Sequence, residues 1–413
     1  MSETTEAVVP LEPKQTLVDA VRERWNGVRA GDVGSLPIIL ALIVIAVFFD
    51  LKNSHFNDPG NVVNLIIQMA GFTTIGLGVV FVLLLGEIDL SVGYVSGVCG
   101  VIAAKFTEPP GTASGWPIHV NGLVAIAAAL AAGATIGLFQ GAIVVKIGVP
   151  SFVVTLAGLQ IWNGVVFKAL PGVITIQSNK INDFSNYLFS PTNGWIIAAI
   201  VSVLYVALTL WSAVAGLRHG VPVRDPVVLV FKVVLVPAVA FVTVWILNKP
   251  GSGGVPLGLL MMVGALIVLT FLAKRTTFGR HVYAVGGSAE GARRAGINVA
   301  RIRIIVFMIS GLTAGLGGIV LAARLQSVDL QAGSGTLLLE VISAAVIGGT
   351  SLFGGRGEVR NALIGAALIY TIESGMFIKG YATGIIYIVT GVILLLAVTF
   401  DTIVRRIQVR SGR

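Results

Sequence analysis

Charged residues are scarce in this 413-residue chain, at 11% of the total, whereas soluble proteins carry about 25%. Hydrophobic residues make up 55%, and the mean hydropathy is +0.93. These values exclude an ordinary soluble domain and indicate a polytopic membrane protein. Strand-type alternation is also missing, which favours helices as the spanning elements. We therefore predict an all-α transmembrane helical bundle.

Residues suited to catalysis or metal binding are equally scarce. The single cysteine, Cys99, excludes an internal disulfide and a cysteine-based metal site. The histidines, His55, His119, His219 and His281, are isolated and lack metal-site spacing. Phosphate-binding and nucleophile motifs are missing too. The chain is therefore predicted to be no enzyme and to bind no metal or cofactor of its own.

Twelve apolar segments are long enough, or nearly so, to cross a bilayer. They lie at about 36–51, 62–86, 88–105, 121–146, 150–169, 195–215, 227–247, 256–273, 302–323, 335–353, 359–378 and 383–401. The third and tenth are short and glycine-rich, so we expect them to be broken or tilted. Residues 1–35 are predicted to form an N-terminal tail, 36–404 the transmembrane domain, and 405–413 a basic tail.

The positions of the basic residues predict an orientation. If the N-terminus is cytoplasmic and the loops alternate, most of the 28 Lys and Arg residues fall in cytoplasmic loops. Both termini are then cytoplasmic. The net charge of +9 is explained by topology, and we predict no nucleic-acid binding.

Two acids interrupt the apolar stretch "VFVLLLGEIDLSVGYVSG". The predicted orientation places Glu87 and Asp89 in a cytoplasmic turn, where Gly86 can end one helix and Asp89 or Ser91 can cap the next. We favour a solvated, capped turn, because a charge in hydrocarbon costs several kcal/mol. The alternatives are a turn at the cytoplasmic mouth of a pore, or a helix broken inside the bilayer around a cavity.

Glycines recur at four-residue spacing inside several segments. The pairs and triplets are Gly93–Gly97, Gly133–Gly137–Gly141 and Gly311–Gly315. Small residues at this spacing let helix backbones approach closely in lipid. We expect a tightly packed bundle.

The most informative loop is rich in Lys and Arg and extends over residues 274–303. Ser288 is a plausible N-cap, Glu290 lies in the first turn that follows, and Arg293 and Arg294 lie in the last. Gly296 fits as the terminator. The pattern predicts a short cytoplasmic helix that could dock on a soluble partner.

Three stretches resemble one family, the permeases of ATP-binding-cassette (ABC) sugar transporters of the ribose/xylose/galactose branch. They are "LLLGEIDLSVG", "GRHVYAVGGSAEGARRAGIN" and "AAVIGGTSLFGGRGEVRNALIGA". The resemblance extends from about residue 36 to the C-terminus. An additional hairpin at about 195–247, together with Glu87 where many ribose-type members have Gly, makes the chain most similar to the xylose-type permeases.

The resemblance implies a function and a set of partners. Two permease copies would form a path for a monosaccharide, such as the pentose xylose, across the bacterial cytoplasmic membrane. A separate cytoplasmic ATPase, carrying ATP and Mg, would drive it, and an extracytoplasmic sugar-binding protein would deliver the sugar. The family's coupling helix maps onto Gly287, Glu290, Gly291, Ala292 and Gly296 here. Gly291 replaces the usual alanine, which puts the length of the helix in question.

The substrate path is predicted from polar and aromatic residues inside the segments. The candidates are Thr155, Gln160, Trp162, Asn163, Glu340 and Glu373. The two acids also keep an alternative open, an ion-coupled secondary sugar transporter, because intramembrane acids carry ions in such proteins. Simple interhelical hydrogen bonding is the other interpretation of these residues.

Overall fold

The computed structural model describes residues 36–112, 116, 118–218 and 226–410. The predicted N-terminal tail lies outside the described residues. The elements are α1 (Leu36–Lys52), α2 (Pro59–Leu84), α3 (Val92–Lys105), α4 (Gly122–Lys146), α5 (Ser151–Ala169), β1 (Ile174–Thr175), α6 (Asn179–Asn186), β2 (Leu188–Phe189), α7 (Pro191–Arg218), α8 (Pro226–Leu247), β3 (Val255–Pro256), α9 (Leu257–Arg275), α10 (Thr277–Gly287), α11 (Ala289–Arg294), α12 (Val299–Leu325), β4 (Ser327–Val328), α13 (Gly335–Ile347), α14 (Asn361–Ile378) and α15 (Thr383–Arg410).

Each of the twelve predicted segments coincides with a helix, which confirms the helical bundle. Among the described residues, eight helices are long and apolar enough to cross a membrane, and shorter apolar helices accompany them. The last helix continues to Arg410, so most of the basic stretch predicted as a tail is helical.

The described chain falls into two compact units. One holds residues Trp195–Val244, and the other holds Gly34–Gly194 and Trp245–Arg413. The first coincides with the additional hairpin predicted at about 195–247. Within it, the rings of Trp195 and Phe241 stack with their centroids 6.0 Å apart.

Helices α2 and α12 form the core of the larger unit. The residues from Thr73 to Leu84 are buried without a break. Glycines let α12 approach its neighbours: a Cβ atom on Gly311 would lie 2.1 Å from the carbonyl oxygen of Gly133 on α4, and one on Gly78 would lie 1.9 Å from Thr313 Oγ1. The close packing expected from the glycine spacing is therefore confirmed at α4 and α12.

Helices α3 and α13 are too short to span the bundle. They contain 14 and 13 residues, or about 20 Å at 1.5 Å per residue, against a hydrocarbon core of about 30 Å. The loop before α13 packs on α3, since Cβ atoms on Gly93 and Gly97 would lie 2.8 Å and 2.2 Å from the carbonyl oxygens of Gly333 and Ala332. The loop that leads into α13 is therefore packed against α3, and both helices are shorter than the third and tenth predicted segments, as expected for segments that are broken.

Two short antiparallel strand pairs lie beside the helices. Ile174 of β1 pairs with Val328 of β4, and Leu188 of β2 pairs with Pro256 of β3. The connection after α5 is therefore ordered by β1, α6 and β2, and the loop before α13 is anchored by β4.

Candidate functional site

The break between α2 and α3 is buried at Asp89 and Ser91 and exposed at Gly86 and Ile88. Gly86 takes φ +75°, and its N–H donates to Leu83 O at 2.8 Å, which ends α2 as predicted. The chain then turns through Glu87 and Asp89 before α3 begins at Val92. This short turn, residues 86–91, is called the break turn below.

Asp89 is the buried centre of the break turn. Only 4% of it is exposed. Its Oδ1 accepts hydrogen bonds from the Ser91 N–H at 3.0 Å and from Ser91 Oγ at 2.7 Å, and its Oδ2 accepts from Ser310 Oγ at 2.8 Å. The favoured interpretation, a solvated turn, is therefore wrong for Asp89. Its carboxylate is satisfied by protein donors instead of water.

Ser91 connects the break turn to α4. Its Oγ lies 2.9 Å from Gln140 Oε1 as well as close to Asp89. One hydroxyl proton serves one acceptor, and Gln140 Nε2 is buried without a partner among the described residues. Turning the amide so that its nitrogen faces Ser91 satisfies both groups. The turn is thereby joined through side chains to α4, and through Ser310 to α12.

Glu87 lies at the more accessible end of the same turn. Its Oε1 forms an ion pair with Arg303 at 3.1 Å, and its Oε2 accepts a hydrogen bond from Ser151. Thr155 Oγ1 lies 3.2 Å from Ile88 O. A cleft of about 520 Å³ opens beside Glu87, Ser151 and Arg303 and extends to Arg293 of α11. The break turn thus borders a polar cleft shared with the predicted coupling helix.

The short helix predicted after Ser288 is present as α11. Ser288 Oγ accepts from the Gly291 N–H at 3.0 Å, and Glu290 pairs with Arg293 at 2.9 Å and with Arg294 at 3.1 Å. Gly296 takes φ +82° after the helix. The helix has 6 residues and is not interrupted at Gly291. Helix α10, which precedes it, was not predicted.

Glycine backbones connect α10 to the break turn. A Cβ atom on Gly286 would lie 1.8 Å from Leu84 O, the last residue of α2. The same carbonyl accepts a hydrogen bond from the Gly355 N–H at 2.8 Å. A Cβ on Gly354 would lie 2.8 Å from the nitrogen of Gly86. These four glycines and Leu84, called the glycine junction, bring three chain segments into backbone contact.

The glycine junction is the meeting point of the three stretches that carried the family resemblance. Polar contacts hold its outer side. The Tyr283 hydroxyl donates to Gly357 O at 2.9 Å, and Glu358 pairs with Lys274 at 2.9 Å. Burial, with a contribution from the Glu358 carboxylate, raises the pKa of Tyr283, so its hydroxyl keeps the proton it donates. Because Gly286 contacts Leu84 O, a displacement of α10 would act directly on the end of α2.

The residues predicted to line a path do not come together. Thr155 is buried against the break turn, whereas Gln160 is exposed on the opposite side of α5. Trp162 Nε1 and Asn163 Oδ1 are buried without a partner among the described residues. The four candidates on α5 therefore form no common site. Thr155 contacts the break turn, as Ser151 of the same helix does.

The two predicted acids of the later segments do share one environment. The Tyr370 hydroxyl donates to Glu340 Oε2 at 3.0 Å. Glu373 lies close enough to Glu340 and Tyr370 to interact electrostatically, and its Oε1 has no hydrogen-bond partner among the described residues. Among the described residues, no three His, Cys, Asp or Glu side chains are placed to hold a metal ion.

Several residues of the site were not predicted. Arg303 was counted only as a topology signal, and Ser151, Ser310 and Gln140 were not singled out. Each is a polar residue inside or at the end of an apolar run. That signal marks a buried partner, but it does not say which acid the residue meets.

Comparison with known proteins places the chain in a family. A family model for branched-chain amino acid transport system / permease components matches residues 61–398. The chain belongs to this family of permease components, and with its apolar helices it is a multi-pass membrane protein. No solved structure matches the chain.

Three similar curated proteins are sugar permeases. The xylose transport system permease protein XylH of Escherichia coli is 33% identical over 384 residues, 92% of this chain and 95% of that protein. The ribose import permease protein RbsC of Escherichia coli is 32% identical, covering 88% and 92%. The L-arabinose ABC transporter permease protein AraH of Azospirillum brasilense is 28% identical, covering 88% and 86%. The resemblance inferred from the three stretches is confirmed.

Proposed function

We propose that this chain is the membrane-spanning permease subunit of an ABC sugar importer and that its substrate is a pentose, xylose first among them. The single observation that supports this best is the glycine junction, where the three family stretches meet and join a short capped helix to a buried break in the bundle. The curated relatives support the sugar class, since their names specify xylose, ribose and L-arabinose.

In this proposal α11 receives the motion of a separate ATPase. Helix α11 is accessible: the side chains of Arg293 and Arg294 are 65% and 79% exposed. When the ATPase domains close on ATP and Mg, α11 and α10 move together, because only Ser288 separates them, and Gly286 in the last turn of α10 lies against Leu84. This movement is transmitted to the break turn, where Glu87 and Asp89 are held by partners on other helices. It opens the path alternately to the two sides of the membrane. ATP hydrolysis takes place on the partner chain, and this chain transmits the resulting movement to the sugar path.

The proposed assembly has two copies of this chain in the bacterial cytoplasmic membrane, surrounded by lipid. Both termini and α11 face the cytoplasm, in agreement with the distribution of Lys and Arg. A sugar-binding protein delivers the pentose on the opposite side. The chain itself needs no cofactor.

The deciding experiment is reconstitution. The chain is co-expressed with the ATPase and sugar-binding protein of its own genome and placed in liposomes, and labelled xylose uptake is measured with and without internal ATP. We expect ATP-dependent uptake that requires the binding protein. Uptake that needs neither ATP nor the ATPase would overturn the proposal.

The role of α11 has its own test. Reversing Glu290, Arg293 and Arg294 together (Glu290→Arg, Arg293→Glu, Arg294→Glu) keeps the pairs within the helix but inverts the charges offered to a partner. We expect co-purification with the ATPase to fall at least tenfold, while the helix and the amount of folded permease are kept. Unchanged assembly and transport would remove α11 from the coupling surface.

An ion-coupled secondary transporter is the second candidate. One observation favours it, the unpartnered carboxyl oxygen of Glu373 beside Glu340, because intramembrane acids often carry protons. Sugar uptake into vesicles driven by a proton gradient, without ATP or a partner chain and lost in Glu373→Gln, would support this candidate.

A further inference from the structure

A recess of about 260 Å³ lies between α3, the end of α12 and the start of α13. Its floor is the crossing where the Ala332 carbonyl oxygen packs on Gly97. Each water molecule occupies ~30 Å³ in the liquid, so a space of this size corresponds to only a small number of water molecules. It can therefore hold a small ring but no large ligand. None of the six predicted path residues lines it.

The polar side chains of the recess have free hydrogen-bonding groups. Among the described residues, nothing forms a hydrogen bond or ion pair with the side chains of Arg324, Gln331 or Thr336. Asp329 uses Oδ1 to accept from the Gln331 N–H at 2.9 Å, which leaves Oδ2 available. Together these side chains provide a hydrogen-bond donor in Arg324, an acceptor in Asp329, and groups that can donate or accept in Gln331 and Thr336.

One aromatic ring completes the lining. Phe72 of α2 faces the recess, and its ring is held against the Tyr370 ring with centroids 4.9 Å apart. Small-molecule sites typically combine aromatic or apolar side chains with a few polar groups, as this recess does. The charges of Arg324 and Asp329 cancel, so the recess has no net attraction for an anion or a cation.

The position of the recess agrees with a role in transport. It lies where two helices, α3 and α13, are both too short to span the bundle. Transport proteins place substrate sites at such broken helices, because unpaired backbone groups are tolerated where they line a cavity. Helix α13 begins at the recess, and its N-cap Ser334 makes no side-chain cap hydrogen bond.

We propose that this recess binds one neutral monosaccharide of pentose size, with Asp329, Gln331 and Thr336 bonded to its hydroxyl groups and Phe72 against its C–H face. The inference rests on the proposed function and deepens it by giving the chain its own sugar contact. Because the site is open and makes few hydrogen bonds, we expect millimolar affinity, equivalent to about −4 kcal/mol.

The test measures sugar binding to the full chain in lipid nanodiscs by saturation-transfer difference NMR. D-Xylose, D-ribose and L-arabinose are titrated, with L-leucine as the competing chemistry that the family model's description suggests. The variants are Asp329→Asn, Thr336→Val and Phe72→Leu, each of similar size to the original side chain. Asp183→Asn is the matched control, since Asp183 is exposed on α6 and does not line the recess.

We expect saturable pentose binding that weakens at least fivefold in Asp329→Asn and Thr336→Val, and about threefold in Phe72→Leu, with Asp183→Asn unchanged. Asp329→Asn and Thr336→Val each remove one hydrogen-bonding group that the sugar would use. Absence of saturable binding to the unmodified chain, equal affinity in all variants, or preference for L-leucine would overturn the inference.

The reconstituted importer separates this failure from failure of the proposed function. If the unmodified chain takes up xylose with ATP and the three recess variants do so equally well, the recess is not the sugar site, but the proposed function stands. If no ATP-dependent sugar uptake is seen, both the proposed function and the sugar site in the recess are wrong. Reduced uptake in the recess variants, with their melting midpoints unchanged, supports both.

Discussion

Ser310 donates a hydrogen bond to Asp89 Oδ2 at 2.8 Å, and this contact joins the buried middle of α12 to the point where α2 and α3 part. Ser310 is fully buried, as Asp89 nearly is. A carboxylate in such a place is stable only while its donors remain, because a buried charge without partners costs several kcal/mol. The pair therefore fixes the break turn to the central helix.

Removing the carboxylate should destabilise the bundle. Asp89→Ala leaves the Ser91 and Ser310 hydroxyls without their acceptor, and we expect a loss of about 2–4 kcal/mol. The midpoint of thermal unfolding in detergent measures it, with the exposed Asp183→Ala as control. An Asp89→Ala midpoint equal to that of the control would mean that the carboxylate does not hold the turn.

The glycine junction makes a sharp prediction about neighbouring residues. Gly286→Ala would place a methyl group 1.8 Å from Leu84 O, whereas a Cβ on Gly287 would meet nothing within 4 Å. We expect Gly286→Ala to cost about 1–3 kcal/mol, the usual penalty of overpacking, and to reduce transport at least tenfold. Gly287→Ala should leave the melting midpoint unchanged. Equal behaviour of the two variants would contradict the close contact.

The ion pair between Glu87 and Arg303 should be measurable as a coupling energy. Its side chains are 14% and 32% exposed, which places the pair between a surface and a buried one. A double-mutant cycle of Glu87→Gln and Arg303→Gln, read by thermal or denaturant unfolding, should give about 1–2 kcal/mol, decreasing at high salt. A coupling near zero would show that the two charges are solvated independently.

The predicted orientation can be measured with single cysteines. Cys99 is buried, so Cys99→Ala gives a cysteine-free background. In it, Arg294→Cys should react with an impermeant maleimide only after the cells are opened, whereas Asp183→Cys should react in intact cells. The opposite pattern would reverse the bundle and remove α11 from the cytoplasm.

Sequence reasoning was most successful where a pattern is local. Hydrophobic length located every apolar helix, and the order Ser288, Glu290, Arg293 predicted the capped helix α11, because caps and dipole contacts lie within one turn. Gly86 likewise predicted the end of α2, because a glycine can take the positive φ that ends a helix. In each case the physical cause lies within a few residues of the pattern.

Contacts between distant segments could not be predicted in this way. Asp89 was expected in water because the predicted orientation placed it in a cytoplasmic turn and a charge in hydrocarbon is costly. Its partner Ser310 lies on another helix, 221 residues further along the chain. The recess around Asp329 was missed for the same reason, since its lining comes from α2, α3 and the loop before α13. Helix α10 was missed because its polar first turn reads as loop.

The shortness of α3 determines how thick the barrier between two spaces is. Glu87 lines the cleft beside α11, and Ser96 lines the recess on the far side of the break. Only the Asp89 turn and the first turn of α3 separate them along the chain. The hydrogen bonds that Asp89 accepts from Ser91 and Ser310 lie within this stretch, so a movement that separates α3 from α12 there has to break them.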